Sequence, residues 1–292
     1  MPTRVAPLLV MAGVVAATFS HGHAQSPQLP TAIPQTKFDS GQNVVPVYEG
    51  WIRNPDGTFD LVFGYFNRNY KEELAIPPGP ANTIEPGGPD RGQPTYFLPR
   101  RQPRLFRVRV PADFGQQTLV WTITVNGRAE KAYGALLPVE EINEKIIASG
   151  GNSVPFGDED PNKPPTISVA PVSHATVSTP ATLTATVADD GLPKPRVAPV
   201  APARTATAAA GGRIERQLNS SGPARPRGLT VRWFEYRGPA KVTFEPDGAI
   251  PVAGGTATTT ARFAAPGTYT LVGTANDGQL SQRTTVTVTV TP

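Results

Sequence analysis

An alternation of threonine with apolar residues, which recurs along the C-terminal half, is the feature that most constrains the fold of this chain. It is clearest in Thr285-Val286-Thr287-Val288-Thr289-Val290 and returns in residues 182–187. Because successive side chains of a β-strand point to opposite faces, each run buries one face and leaves the other in water. Threonine also suits the exposed face of a strand. The pattern therefore predicts an all-β fold made of short strands.

The N-terminal half has the same period of two and adds turn signals. Residues 45–53 and 58–66 flank Asn54-Pro55-Asp56-Gly57, and residues 119–125 run into Asn126-Gly127. Asn-Gly and Asp-Gly between alternating runs favour tight turns, because these residues tolerate a positive φ. We expect two hairpins. The connection between them, residues 67–101, is rich in proline and glycine. We expect it to be an ordered loop that the apolar Tyr96-Phe97-Leu98 pins to the domain.

One short helix and a linker follow. Residues 139–148 lie between Pro138 and the pair Gly150-Gly151, which suits the start and the end of a helix. The acids and prolines that come next indicate a semi-rigid joint. The predicted organisation is a signal peptide (1–24), a flexible tail (25–43), an N-terminal β-rich domain (44–150), a Pro/acidic linker (151–165) and a second sandwich (166–292).

The first residues predict export. Arg4 supplies the positive charge, residues 5–19 are apolar, and Gly22-His23-Ala24 fits a cleavage site. The alternative is a membrane anchor, but a span needs about 20 apolar residues. We expect a chain that does not span the membrane after cleavage and that is periplasmic, extracellular or at the cell surface. The sequence has no cysteine, so packing alone must stabilise both domains.

Several motifs of the second domain stand in a recognisable order. They are Val187-Ala188-Asp189-Asp190-Gly191, Leu229-Thr230-Val231-Arg232-Trp233, residues 265–271 and Asn276-Asp277-Gly278. The domain resembles the polycystic-kidney-disease (PKD) type of immunoglobulin-like sandwich found in exported bacterial proteins. The resemblance implies a non-catalytic spacer, adhesion or accessory binding module. Residues 63–69 and 90–94 are similar to a region of uncharacterised exported bacterial proteins, which implies no function.

The second domain departs from the PKD pattern at residues 193–228. This stretch holds seven basic residues and one acid, and few of its side chains suit a core. Its composition, dominated by alanine, proline, arginine and glycine, is typical of disorder. We therefore predict a disordered basic insertion.

The residue inventory disfavours catalysis. After cleavage the chain keeps one histidine, His174, and no nucleophile-elbow, phosphate-binding or dinucleotide motif is present. We expect no enzyme and no cofactor other than calcium. The sequence leaves open a hydrolase with a pair of carboxylates that meet in space.

Acidic residues of the linker and of two loops are candidate calcium ligands. Calcium takes six to eight oxygen ligands, largely from carboxylates and carbonyls. The alternative is that these acids are solvated or stabilise turns. The candidates are Asp158, Asp160, Asn162, Asp189, Asp190 and Asp277.

Arginines of the first domain form a row that predicts contact with an anionic partner, which the basic insertion would reinforce by long-range attraction. We expect the partner to be an envelope component or a protein, with an anionic glycan or lipid surface as options, and not nucleic acid. The alternative is an ordinary solvated face. The candidate contacts are Arg100, Arg101, Arg104, Arg107 and Arg109.

The aromatic residues of the first domain allow two structural interpretations. Tyr48, Trp51, Tyr65, Tyr70, Tyr96 and Trp121 are either core residues or a carbohydrate platform, and their strand spacing favours the core. The leading hypothesis is an exported, non-catalytic binding or structural module that acts by surface contact. The alternative is an accessory carbohydrate-binding component of an exported hydrolase system.

Overall fold

The computed structural model of the protein describes residues 37–149, 161–172, 175–194 and 228–292. The predicted signal peptide, most of the predicted tail, residue 150, residues 151–160 of the linker, His174 and residues 195–227 of the basic insertion lie outside the described residues. No helix among the described residues has the length and apolar character needed to cross a bilayer.

Over residues 37–149, which the structure describes, the first sandwich is built from eight strands in three antiparallel sheets. The sheets have the orders β1-β2-β6, β4-β7-β8 and β3-β5, and both predicted hairpins are confirmed. Positive φ values at Asn126 and Gly127 (51° and 75°) explain why Asn-Gly stands at the second turn. The strands are β1 (Val44–Arg53), β2 (Phe59–Asn67), β3 (Leu74–Ala75), β4 (Asn82–Glu85), β5 (Tyr96–Phe97), β6 (Arg100–Val110), β7 (Leu119–Val125) and β8 (Arg128–Gly134).

Trp121 lies at the centre of the first core and joins its sheets. Its ring is edge-on to Phe63 and to Phe106 of the facing sheet, with centroids 6.0 and 4.9 Å apart. Such pairs add about 0.5–1.5 kcal/mol each to the burial of apolar surface. Trp51, Tyr65 and Trp121 are buried, so these aromatics are core residues rather than an exposed platform.

A buried amide orders the long loop at residues 67–101. Asn82 is fully buried, and its Nδ2 donates to the carbonyls of Ile76 (2.9 Å) and Pro94 (2.8 Å). Its Oδ1 accepts from Trp121 Nε1 at 2.9 Å. The amide thus joins two points of the loop to the centre of the core. Phe97 is also fully buried, which confirms that this apolar stretch pins the loop.

The predicted helix at residues 139–148 is wrong in its first half. The chain forms a 3₁₀ turn at Pro138–Glu140 and a helix, α1, at Glu144–Ala148. Between them Ile142 donates its N–H to the carbonyl of Trp51 at 2.8 Å, so tertiary pairing with β1 holds this segment extended. The Asn143 side chain then accepts from the N–H of Ile146 and caps α1.

Within the described parts of residues 161–292, the second sandwich has nine strands in two sheets, β13-β15-β11-β9 and β10-β17-β16-β12-β14. These orders correspond to the ABED and GFC sheets of the immunoglobulin fold, with β14 added at one edge. Strand β10 pairs in parallel with β17, and the other pairs are antiparallel. The strands are β9 (Thr166–Val169), β10 (Ala175–Thr176), β11 (Ala181–Ala188), β12 (Thr230–Arg237), β13 (Val242–Glu245), β14 (Ala249–Pro251), β15 (Thr256–Phe263), β16 (Gly267–Asn276) and β17 (Ser281–Thr291).

Two local features support the immunoglobulin-like assignment. Trp233 on β12 is buried at the position of the conserved core tryptophan of strand C. Near the start of β16 the hydroxyl of the fully buried Tyr269 donates to the carbonyl of Ala265 at 2.7 Å. This contact is the tyrosine corner of such sandwiches, which fixes the turn into strand F. The all-β prediction of two sandwich-like domains, the second immunoglobulin-like, is confirmed.

Replacement of Asn82 by alanine tests the role of the buried amide. The change leaves the indole N–H and two loop carbonyls without their partner, and each unsatisfied buried group is costly. We expect Asn82→Ala to lower the free energy of unfolding by about 2–4 kcal/mol in urea denaturation. Gln116→Ala, at an exposed position, is the matched control. Equal stability of the two variants would contradict this role.

Candidate functional site

The two sandwiches meet in an interface that includes part of the apolar core. Tyr236 of β12 and Val272 of β16 are buried within the core cluster of the first sandwich. The hydroxyl of Tyr236 donates to the carbonyl of Gly92. The backbone carbonyl of Tyr236 accepts from the N–H of Thr95 at 3.1 Å. The stretch Lys37–Pro292 accordingly forms one compact unit.

A polar clamp reinforces this interface. Arg237 donates to both carboxylate oxygens of Asp90, at 2.7 and 3.1 Å, and its Nε donates to the carbonyl of Gln93 at 2.9 Å. The hydrogen bonds from Arg237 lower the pKa of Asp90 below its usual range. Bidentate arginine–carboxylate pairs are among the stronger polar contacts. These hydrogen bonds therefore attach the proline- and glycine-rich loop to the second sandwich.

The predicted arginine row lies on β6, and most of its members face acids of this chain. Arg101 and Arg104 approach Glu49 at 3.2 and 3.6 Å. Arg107 donates to both carboxylate oxygens of Glu144 at 2.6 Å.

The two ends of the row are also occupied by internal contacts. Arg109 donates to Asp60 at 3.0 Å. Arg100 lies over the rings of Phe66 and Tyr70, with its guanidinium carbon 4.7 and 4.0 Å from their centroids. Intramolecular contacts thus offset much of the positive charge that the sequence places on this strand.

A cationic pocket opens where β6, α1 and the second sandwich meet. Its volume is about 520 Å³, which is within the usual range for small-ligand sites. The walls include Leu105, Ile147 and Leu280, which are apolar. The charged groups in the lining are Arg104, Arg107, Glu144, Lys145, Lys163 and Arg283.

Arg104 is held in the pocket by strained backbone. Its φ is +45°, which is uncommon for a residue with a side chain. Its N–H donates to Glu49 Oε1 at 2.8 Å. A Cβ on Gly64 would lie 2.2 Å from that same oxygen, so only glycine lets Glu49 sit there. Two Arg104 atoms, Nε and Nη2, are buried with no hydrogen-bond partner among the described residues.

Arg283 comes from β17 of the second sandwich and faces Arg104. Its guanidinium donates to the backbone carbonyls of Arg104 (2.8 Å) and Pro103 (3.4 Å). Burial lowers the pKa of Arg283, and the positive charge of Arg104 lowers it further, while Glu49 partly offsets both effects. Sequence reasoning missed Arg283 because it stands in a threonine-rich strand far from the arginine row.

The described calcium candidates lie near one another at one end of the second sandwich. Burial raises the pKa of Asp189, and the charges of Asp277 and Asp190 raise it further. Asp189 and Asp190 also accept hydrogen bonds from the N–H groups of Gly191 and Leu192, as turn residues do.

Asp277 is the most buried of these acids. Its Oδ1 accepts from the N–H groups of Gln279 and Leu280, both at 2.6 Å, while its Oδ2 is buried with no partner among the described residues. Asn162 is buried nearby and contacts Gln279. Asp158 and Asp160 lie outside the described residues. Within the described ranges no group of three histidine, cysteine or acidic side chains is arranged to hold a metal ion.

A buried carboxyl group lies on the other side of the interface. Glu235 of β12 is 2 % exposed, and its Oε2 accepts from the N–H of Val242 at 2.9 Å. Burial raises its pKa to about 8. Glu73 raises this pKa further, whereas Lys241 lowers it. Lys241 is itself bonded to Glu73 at 2.9 Å, which adds another ion pair between the sandwiches.

An open groove runs across the outer face of the β4-β7-β8 sheet. It encloses about 1060 Å³ between that face and the loop from Gly79 to Pro89. Tyr133, 60 % exposed, is the large aromatic side chain in its lining. Lys131 and Thr122 stand beside it. Sequence reasoning missed Tyr133, because its exposure depends on which face of the β4-β7-β8 sheet is left open to water.

Comparison with known proteins adds little to this geometry. No family model matches the sequence, and no curated protein matches it. Among solved structures, the D00-D0 domain of intimin is 12% identical over 86% of this chain and 100% of its own, with a TM-score of 0.27. A conjugative transposon lipoprotein from Bacteroides eggerthii is 11% identical over 43% of this chain and 96% of its own, at 0.26.

A chimeric titin Z1Z2-Z1Z2 tandem is also similar. It is 12% identical over 84% of this chain and 93% of its own, with a TM-score of 0.23. TM-scores this low carry no argument about function. The class of the protein therefore follows from its own topology, which is two sandwiches with an immunoglobulin-like second domain.

The raised pKa of Glu235 predicts a pH-dependent stability. Between its ordinary pKa of 4.5 and about 8, the unfolded chain loses this proton while the folded chain keeps it. Stability from this group is therefore present at low pH and falls as pH rises through that window. In the wild type we expect the free energy of unfolding to fall by on the order of 2 kcal/mol between pH 5 and pH 9 because of this group. We expect Glu235→Gln to abolish that decrease.

Urea denaturation at several pH values measures this difference. The other titratable groups that face Glu235 are Glu73, Tyr96, Lys241 and Tyr269, and all are kept in the variant. Glu245→Gln, at an exposed position of β13, is the control that should retain the wild-type profile. Parallel profiles for wild type and Glu235→Gln would contradict the assignment.

Proposed function

We propose that this chain is an exported, non-catalytic module of the cell envelope that acts by surface contact. In this role the second sandwich is of PKD type, and the two sandwiches work as one rigid element. The observation that carries the proposal is the clamp of Arg237 on Asp90 together with Tyr236 in the first core. A module that transmits or resists force between partners gains from a joint of this kind.

The joint combines the features that make an interface between domains rigid. Interfaces between domains within a chain are commonly polar and permit motion unless they are large and apolar. Here a buried tyrosine and a bidentate ion pair act together with Lys241–Glu73 and the contacts of Arg283. These contacts span the interface from the cationic pocket to Glu235, so a hinge at any single one of them is opposed by the others.

Export is supported by the sequence features of residues 1–24. The non-catalytic part of the proposal is supported by the residue inventory and by what the described polar groups do. The acids that face the arginine row, Glu49 and Glu144, are paired with arginines. These roles are structural.

We also propose that calcium binds at the end of the second sandwich where Asp277 and Asp189 lie. The buried Oδ2 of Asp277 and the neighbouring Asp189 support it. A calcium-specific rise in melting temperature that magnesium does not reproduce, and that Asp277→Asn abolishes, is the expected result. Equal effects of the two ions would remove calcium from the proposal.

The second candidate function is carbohydrate binding at the open groove. Its support is the exposed ring of Tyr133, which stands over a groove lined by threonines and prolines. Aromatic rings with a polar tip suit surfaces that are partly apolar and partly wet. Binding of this kind depends little on charge, so it differs from envelope contact through basic groups in its response to salt.

Co-sedimentation with separated outer membrane and peptidoglycan tests both candidates. The purified chain should pellet with one fraction at low salt and be released at high salt, because contact between charged surfaces is screened. Pelleting with peptidoglycan that survives high salt and is lost in Tyr133→Ala would favour the carbohydrate alternative. Failure to pellet with either fraction at any salt concentration would refute the proposal of envelope contact.

A further inference from the structure

The charges that line the cationic pocket do not balance. Five cationic side chains reach it, namely Arg104, Arg107, Lys145, Lys163 and Arg283, whereas Glu144 is the one acid of the lining among the described residues. Glu49, outside the lining, lies 3.6 Å from the guanidinium of Arg104 and offsets part of this charge. Glu144 is already engaged by both oxygens with Arg107. The pocket thus concentrates positive potential in a partly enclosed space, where counter-charge is attracted more strongly than at an open surface.

Arg104 and Arg283 define the centre of this positive charge. Arg104 is 14 % exposed in its side chain and keeps two buried nitrogens without a partner among the described residues. Arg283 donates to backbone carbonyls rather than to a carboxylate. The Arg283 guanidinium therefore lies against the main chain of Arg104. The positive charge of Arg104 disfavours the charged form of Arg283, and an anion bound beside both residues would relieve this cost.

The backbone around Arg104 is built to keep it there. A positive φ at a residue with a side chain costs free energy and persists only where its surroundings hold it. The hydrogen bond from its N–H to Glu49, and the space that Gly64 leaves for that carboxylate, provide this support. Strain of this kind is concentrated at binding and catalytic sites.

We propose that this pocket binds a phosphate monoester group, with Arg104 and Arg283 as its principal ligands. A phosphate dianion neutralises more of the excess positive charge than a singly charged carboxylate does. The planar fork of arginine matches the oxygens of phosphate. The apolar wall of Leu105, Ile147 and Leu280 suits the organic part of the ester. The site goes beyond the envelope contact proposed above, because it is defined by one chemical group.

Isothermal titration of the purified chain with inorganic phosphate, at constant ionic strength set by sodium chloride, tests the site. We expect saturable binding at one site, which Arg283→Gln and Arg104→Gln each weaken at least about tenfold, as loss of a charge-assisted hydrogen bond predicts. Arg262→Gln, at an exposed position of β15, is the matched control and should bind as the wild type does.

Glu144→Gln provides a variant whose expected effect misfolding cannot imitate. Glu144 is largely exposed and holds Arg107 in the unliganded pocket. Its neutralisation removes the repulsion between Glu144 and phosphate and releases Arg107, so we expect phosphate to bind roughly threefold to tenfold more tightly. Absence of saturable binding, or equal affinity in wild type, Glu144→Gln and Arg283→Gln, would overturn the proposal.

Two further probes distinguish the source of the phosphate group. Tighter binding of glucose 1-phosphate than of inorganic phosphate would indicate a soluble or glycan-borne ester that uses the apolar wall. Arg283-dependent binding to phosphatidic acid vesicles, but not to phosphatidylcholine vesicles, would indicate a lipid ester. Binding to anionic vesicles that Arg283→Gln leaves unchanged would overturn the pocket as the site.

The phosphate site and the proposed function can fail separately. Phosphate binding without envelope co-sedimentation would refute the proposed function alone.

Discussion

The amide of Asn82 is the contact on which the rest of the described structure depends. It ties the carbonyls of Ile76 and Pro94 to the indole of Trp121, so a loop rich in proline and glycine becomes part of the first core. That order places Asp90 and Gln93 where Arg237 can reach them. The position of the second sandwich thus follows from a buried side chain of the first.

The interface buries ionisable groups of opposite type, arginines on one side and a carboxyl group on the other. Arg283 and Arg104 face each other at the pocket, and Glu235 is buried beside Glu73. Burial of ionisable groups without full pairing costs stability, so apolar contacts such as those of Tyr236 must offset it. The raised pKa of Glu235 couples the stability of the joint to pH, which an apolar joint does not do.

Much of the fold could be predicted from the sequence because its signals are local. Alternation and turn residues located both hairpins of the first sandwich, and the motifs around Trp233 and Tyr269 indicated the immunoglobulin-like domain. The helix at residues 139–148 was predicted too long, because pairing of Ile142 with Trp51 overrides local propensity. The arginine row was visible as charge, whereas its pairing with Glu49, Asp60 and Glu144 was not.

The sequence by itself determined the class of the protein, since a period of two with threonine outward admits only strands, and strands must pair in sheets. Only the tertiary structure decided the candidate site. Arg104 and Arg283 are 179 residues apart in sequence and meet because two sandwiches pack against one loop. The contact between them depends on long-range packing and on a strained φ at Arg104. Neither of these can be recognised from the local sequence pattern.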